Sequence, residues 1–323
     1  FVQCVQVTKA QEEFSSAMLN LLSMDFSMES SYADVLRYNS FMRERNTRET
    51  DTEGNCAFGD GFFKGLFPNN NGRDFFKLEG EALEAWKNKY GDKIVDFGAG
   101  KLNNTRTLRN AGVFVSAFEP YFVTTGDTIH KEKSIEIANK FLDEVESGVE
   151  YTSVFISSVF NSVPFMEDRI KIAQIAAALC SPGGRVVCWC QSNESQQFVI
   201  TKKHSVTNNA RLTFDLDYEP NTVLGDISKH PKVQKCHTAD ELKDIFSRSF
   251  KSIDRIDMIS KFWYLEATKP TVNPERLAEA LDFEFDLPYP DGTTLGLADR
   301  ARKVFEKRLG ITLPRKEETG HGD

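Results

Sequence analysis

Between residues 93 and 190 short apolar runs alternate with longer amphipathic ones, and this alternation limits the possible folds more than any other feature. Residues 93–97, 113–118, 151–157 and 185–190 have the length and the β-branched or aromatic content of buried strands. Residues 105–110, 129–145 and 167–179 read as helices. In the middle one, Ile135, Ile137, Ala138, Phe141, Leu142 and Val145 recur at helical spacing. Strands and helices in such alternation predict an α/β fold, a parallel sheet joined by crossover helices. Thr238 and Glu241 then form a capping box for a helix running to Phe250, and two β-like runs follow at 252–259 and 262–268.

The flanks have another texture. Residues 11–22, with Phe14, Met18, Leu21 and Leu22, and residues 31–42 are predicted helices. Residues 46–80 are dense in Gly, Asn and Asp, which is loop chemistry, yet Phe58, Phe62, Phe63, Phe67, Phe75 and Phe76 stud them. Apolar anchors at that density predict a segment packed onto a domain rather than a free linker. A helix is expected over 79–90. Residues 195–235 are polar and Asn-rich, an insertion or lid. Helices are expected near 274–281 and 297–309, with disorder beyond 314. The expected organisation is therefore an N-terminal helical and Phe/Gly-rich cap (1–89), an α/β unit (90–269) and a helical C-terminal extension (270–323).

Composition excludes some functions. The net charge is −8, which argues against a globally basic nucleic-acid binder and leaves only a local basic groove open. Arg37, Arg43, Arg45 and Arg48 are interleaved with Glu44, Glu49, Asp51 and Glu53, the pattern of a solvated mixed face. No apolar run approaches the ~20 residues that span a bilayer, so no membrane partner is expected. The first 14 residues lack a basic n-region and a continuous apolar stretch, so no signal peptide is expected. The six cysteines form no C-x-x-C pair, and the histidines show no zinc-ligand spacing; buried reduced thiols, a cytoplasmic reducing compartment and no metal are expected.

The chemistry concentrates in Ile94-Val95-Asp96-Phe97-Gly98-Ala99-Gly100. An acid near the end of a strand is followed by glycines that let the backbone turn tightly against a ligand. A second acid, Glu119, stands at the tip of the next predicted strand. In a parallel α/β sheet both lie at the carboxyl edge, where ligands bind. A dinucleotide site would want a third glycine where Asn103 stands. Its absence favours a ligand with one nucleoside and no pyrophosphate.

These residues, taken in order, resemble the class I S-adenosylmethionine-dependent methyltransferases. Asp96-x-Gly98-x-Gly100 is similar to the family's first motif, and Glu119 matches the acid that holds the cofactor ribose. Leu179-Cys180-Ser181-Pro182-Gly183-Gly184 is similar to the turn into its fifth strand, and residues 237–267 are similar to its closing helix and antiparallel hairpin. The resemblance covers about residues 90–269. It implies a doubly wound, mostly parallel sheet with a C-terminal antiparallel hairpin, and S-adenosyl-L-methionine as cofactor. It also implies cofactor contacts from Asp96, Phe97, Gly98, Ala99, Gly100, Glu119, Pro120, Ser157 and Ser158. Two features depart from the family. The region between Glu119 and Tyr151 holds one clear helix, so the third strand is short or missing, and Asp127 is the nearest counterpart of the acid that contacts adenine. Asn161-Ser162-Val163-Pro164-Phe165 loosely matches the N-P-P-F motif of amino-group methyltransferases, with two extra residues between Asn and Pro. That makes Asn161 the candidate catalytic residue, against the plainer reading of a helix start after the strand.

The function implied is methyl transfer to an unidentified acceptor, a small molecule or protein. Two alternatives stay open: a nucleic-acid or nucleotide methyltransferase, and a non-catalytic subunit with this fold. The acceptor and the oligomeric state do not follow from the sequence.

Overall fold

The structure is a computed structural model that describes residues 61–68, 78–123, 129–163, 165–194, 212–216, 219–225, 232–289 and 291–315. The helices expected at 11–22 and 31–42, the arginine cluster, Asp127 and the tail beyond 315 lie outside the described residues.

A six-stranded sheet runs in the order β2-β1-β3-β4-β9-β8. Its strands are β1 (Lys93–Phe97), β2 (Phe114–Phe118), β3 (Tyr151–Ser157), β4 (Cys180–Gln191), β8 (Phe250–Ile259) and β9 (Phe262–Pro270). The first four are mutually parallel, and β9 is antiparallel to both β4 and β8. The expected mostly parallel sheet with a C-terminal antiparallel hairpin is thus what forms. A second antiparallel sheet, β5 (Leu212–Leu216), β6 (Glu219–Gly225) and β7 (Lys232–Lys235), occupies the polar stretch.

Helices cover both faces, so the central strands bury most of their residues. On one face lie α1 (Gly61–Lys64), α2 (Gly80–Tyr90) and α3 (Asn103–Asn110), packing Phe62, Phe63, Trp86, Tyr90 and Leu108 against Ile94, Val115 and Phe155. On the other lie α4 (Lys131–Glu146), α5 (Met166–Leu179) and α6 (Ala239–Ser247). Of the phenylalanine anchors, Phe62 and Phe63 are buried, while Phe58, Phe75 and Phe76 lie outside the described residues. Phe62 stacks on Phe155 at 4.2 Å, and its carbonyl accepts from Trp86 Nε1 at 2.9 Å. Gly65 passes so close to the sheet that a Cβ there would lie 2.0 Å from the Tyr264 ring.

Two elements differ from the sequence reading. The fourth strand begins at Cys180, not Arg185: Tyr151 pairs with Cys180 and Ser153 with Arg185, so Ser181-Pro182-Gly183-Gly184 bulges from the ladder. Glycine is needed at 184, where a Cβ would meet the Tyr151 carbonyl at 2.9 Å. Glu241, expected to complete the capping box, sends its carboxylate to Arg169 (2.7 Å) and Lys235 (3.0 Å), two cations buried beside it.

Between Glu119 and Tyr151 the described residues hold α4 and one antiparallel bridge, Val123 to Ile129, so β2 ends the sheet. Arg109 of α3 blunts this edge by donating to the Val115 carbonyl from Nε (3.0 Å) and Nη2 (2.6 Å). The C-terminal helices α7 (Pro274–Glu284) and α8 (Ala298–Leu309) pack on α5 and α4. Between them Phe285 lays its ring against Phe118 at 4.9 Å, and Tyr121 Oη donates to the Pro288 carbonyl at 3.0 Å. No described helix is long and apolar enough to cross a membrane.

Candidate functional site

Sheet order places the site. From β1 the chain goes to β2 on one side, and β3 lies on the other, so the loops after β1 and β3 part at their carboxyl ends. Such a switch point opens a crevice that backbone groups can line. One wall is the loop 98–102, held down by hydrogen bonds from Gly98 N (2.8 Å) and Ala99 N (3.0 Å) to the Phe118 carbonyl. Gly98 (φ +76°) and Gly100 (φ +55°) are both left-handed, which glycine adopts without strain. Space distinguishes them: a Cβ at Gly98 would meet Val159 Cγ2 at 2.4 Å, whereas nothing lies within 4 Å of one at Gly100.

The two acids face this wall. Asp96 is 2% exposed and accepts from Thr105 Oγ1 at 2.6 Å, which ties β1 to α3. Glu119 Oε2 accepts from Gly100 N at 2.6 Å, and its Oε1 accepts from Tyr121 N at 2.9 Å. The carboxylate therefore clasps the glycine loop to the tip of β2. Phe97 turns into the core against Phe118 at 4.9 Å, and Pro120 is buried beside Glu119.

The opposite wall comes from the end of β3. Ser157 Oγ accepts from Gly61 N at 3.2 Å, which seats the start of α1 here. Ser158 is left-handed (φ +62°), and its N–H donates to the Trp189 carbonyl at 2.7 Å. Asn161 lies in a 3₁₀ turn, Phe160–Ser162, and its Oδ1 accepts from Gln191 N at 2.7 Å. That bond fixes the orientation of the amide and fastens the turn to β4. The structure thus joins the glycine loop and Glu119 directly, puts Ser157 and Ser158 at the carboxyl end of β3, and gives Asn161 a tether to β4.

Sequence reasoning missed a buried polar group at the end of β4. His237 is fully buried, with Nδ1 3.3 Å from the Gln191 carbonyl and Nε2 without a partner among the described residues. Burial, then Arg169 and Lys235, hold it well below the usual histidine range, so it is neutral. Lys235, His237 and Glu241 lie within seven residues of one another, but only the packing of α5 brings Arg169 to them. A second miss is Glu284 at the end of α7, a buried carboxyl whose pKa is pushed up to about 8, chiefly by burial.

The sheet order, the antiparallel β9 between β4 and β8, and an acid at the tip of β2 beside a glycine loop make one pattern. The chain has a class I methyltransferase-like fold. No protein-family model matches it, and no curated protein matches it in sequence. Among solved structures it is similar to a SAM-dependent methyltransferase from Methanosarcina mazei, at 14% identity, TM-score 0.40, over 56% of this chain and 93% of that one. A SAM-dependent methyltransferase from Bacteroides fragilis, in complex with S-adenosyl-L-homocysteine, matches at 13% identity and TM-score 0.36, over 61% of this chain and 80% of that one. The CcbJ methyltransferase from Streptomyces caelestis matches at 14% identity and TM-score 0.34, over 55% and 84%. What those proteins act on is theirs and says nothing of this chain's acceptor.

Proposed function

We propose that the chain binds S-adenosyl-L-methionine in the crevice between the β1 and β3 loops and transfers its methyl group to an acceptor still to be identified. The observation that carries this is the Glu119 carboxylate at the tip of β2, bonded to Gly100 N of the glycine loop. A ribose diol is a matching partner: two adjacent O–H donors for one carboxylate. Gly98, Ala99 and Gly100 would pass beneath the methionine part, with open space at Gly100. Phe97 and Pro120 would contribute backbone, Asp96 would hold the glycine loop through Thr105, and Ser157 and Ser158 would face the ligand from the other wall.

When bound, the cofactor supplies a methyl group activated by a sulfonium; on transfer the sulfonium becomes a thioether. The protein's task is then placement, because near-attack geometry and exclusion of water supply much of the acceleration. Asn161 would orient an acceptor through its amide N–H groups, with its oxygen engaged by Gln191 N. A proton acceptor is needed only if the nucleophile must lose a proton before attack.

One feature favours a second reading, a non-catalytic member of the fold: Val159 lies so close to Gly98 that a Cβ there would meet its Cγ2 at 2.4 Å. Calorimetric titration with S-adenosylmethionine and S-adenosylhomocysteine separates the two. Micromolar binding by the wild type, lost in Glu119→Ala, is the expected result. A folded wild type that binds neither compound overturns the enzyme reading.

A further inference from the structure

The segment 61–65, outside the region of family resemblance, lies flat on the sheet because two of its residues are glycine. A Cβ at Gly61 would fall 2.4 Å from Trp189 Cβ of β4, and one at Gly65 would fall 2.0 Å from the Tyr264 ring of β9. Neither glycine is left-handed, so what they supply is close approach and not conformational freedom. Three hydrogen bonds pin the segment along its length. Gly61 N donates to Ser157 Oγ at 3.2 Å, Trp86 Nε1 donates to the Phe62 carbonyl at 2.9 Å, and Arg255 Nη1 of β8 donates to the Gly65 carbonyl at 2.8 Å. Phe62 and Phe63 are buried between these anchors.

The first anchor reaches the crevice. Ser157 ends β3, and the next residue, Ser158, donates its N–H to the carbonyl of Trp189, the residue on which Gly61 rests. Ser158 keeps a left-handed backbone (φ +62°), which a residue other than glycine holds only where its surroundings enforce it. Val159 then lies against Gly98 of the glycine loop, and Glu119 holds that loop at Gly100. Contacts therefore run without a gap from Gly61 through Ser157 and Trp189 to Ser158, Val159 and Gly98.

We propose that residues 61–65 are a strap that sets the crevice turn 157–159: docked, it holds the turn ready for the cofactor, and undocked, it lets that wall loosen. This rests on the cofactor reading above and adds an N-terminal segment to the binding unit. The coupling is reciprocal, because whatever the docked strap adds to cofactor affinity the cofactor adds to docking.

The test uses the full chain, S-adenosylhomocysteine and Gly65→Ala. That substitution drives the strap from Tyr264 at the end remote from Ser157 and removes no group from the crevice. Calorimetry should show its affinity for the compound falling roughly 5- to 150-fold, the usual span of coupling between two sites. Amide hydrogen exchange read by mass spectrometry should show residues 61–67 of the wild type slowing when the compound binds, and in Gly65→Ala that slowing should disappear. Thermal melts check that the variant folds; should it not, exchange in the wild type alone decides. Exchange over 61–67 that the compound leaves unchanged in the wild type overturns the proposal while leaving the cofactor reading intact. So does a folded Gly65→Ala whose affinity is unchanged or higher. No binding by folded wild type overturns both.

Discussion

At the scale of the residue, equal sequence roles receive different structural weight. Gly98 and Gly100 look alike in the motif, yet only Gly98 is crowded. Both need a left-handed backbone, which costs an alanine roughly 1–2 kcal/mol. Gly98→Ala must also displace Val159, so it should destabilise the protein clearly more than Gly100→Ala in urea melts. Equal losses would show that Val159 moves aside freely. His237 makes a prediction about acid. Its pKa is lowered in the fold, so its stabilising contribution is complete above the unfolded value of roughly 6.5 and is lost as pH falls below it. The unfolding midpoint should drop between pH 7 and 5, and His237→Asn, which can still donate to the Gln191 carbonyl, should flatten that slope. An unchanged slope would mean other groups govern acid unfolding.

At the scale of the element, some ends were written locally and others were not. The Thr238 cap was legible, and Thr238 Oγ1 does accept from Glu241 N at 3.2 Å. Thr238→Ala should cost about 0.5–2 kcal/mol, read by denaturant melts. The Glu241 half of the box was not legible, because its partners come from α5 and β7. The edge of β2 is another such case. Nothing in 105–110 announces that Arg109 will reach the Val115 carbonyl, for that follows only once α3 folds back on the strand. Arg109→Ala should leave that edge carbonyl uncapped and promote self-association, visible as concentration-dependent light scattering. Scattering identical to wild type would assign the edge's protection to other groups.

For the whole molecule, the question is where the cooperative unit ends. The resemblance stops near residue 269, yet Arg308 of α8 donates to the carbonyls of Val149 (2.7 Å) and Leu179 (2.6 Å) and stacks over Tyr151. Phe285 and Phe305 join Phe118 and Phe141 in one core. A chain cut before Pro274 would expose that apolar surface, so it should fail to give a cooperative melt. Phe285→Ala in the full chain should cost about 3–5 kcal/mol. A truncated chain that melts like the whole would show the extension to be an appendage.

The sequence alone determined the alternating α/β pattern, the glycine turn after Asp96 and the acid at the tip of β2. These are local signals: hydrophobic period, turn chemistry and residue order along one strand. It also showed a third strand that is short or missing between Glu119 and Tyr151. Tertiary structure decided what took over at that edge, and which distant side chains met. Arg169 meets Lys235, His237 and Glu241 from 66 or more residues away, and Glu284 bears on Glu119 from 165 residues away. No sequence period encodes such meetings, because they depend on how helices pack across a sheet, and packing is set by the shape of all the surfaces buried together.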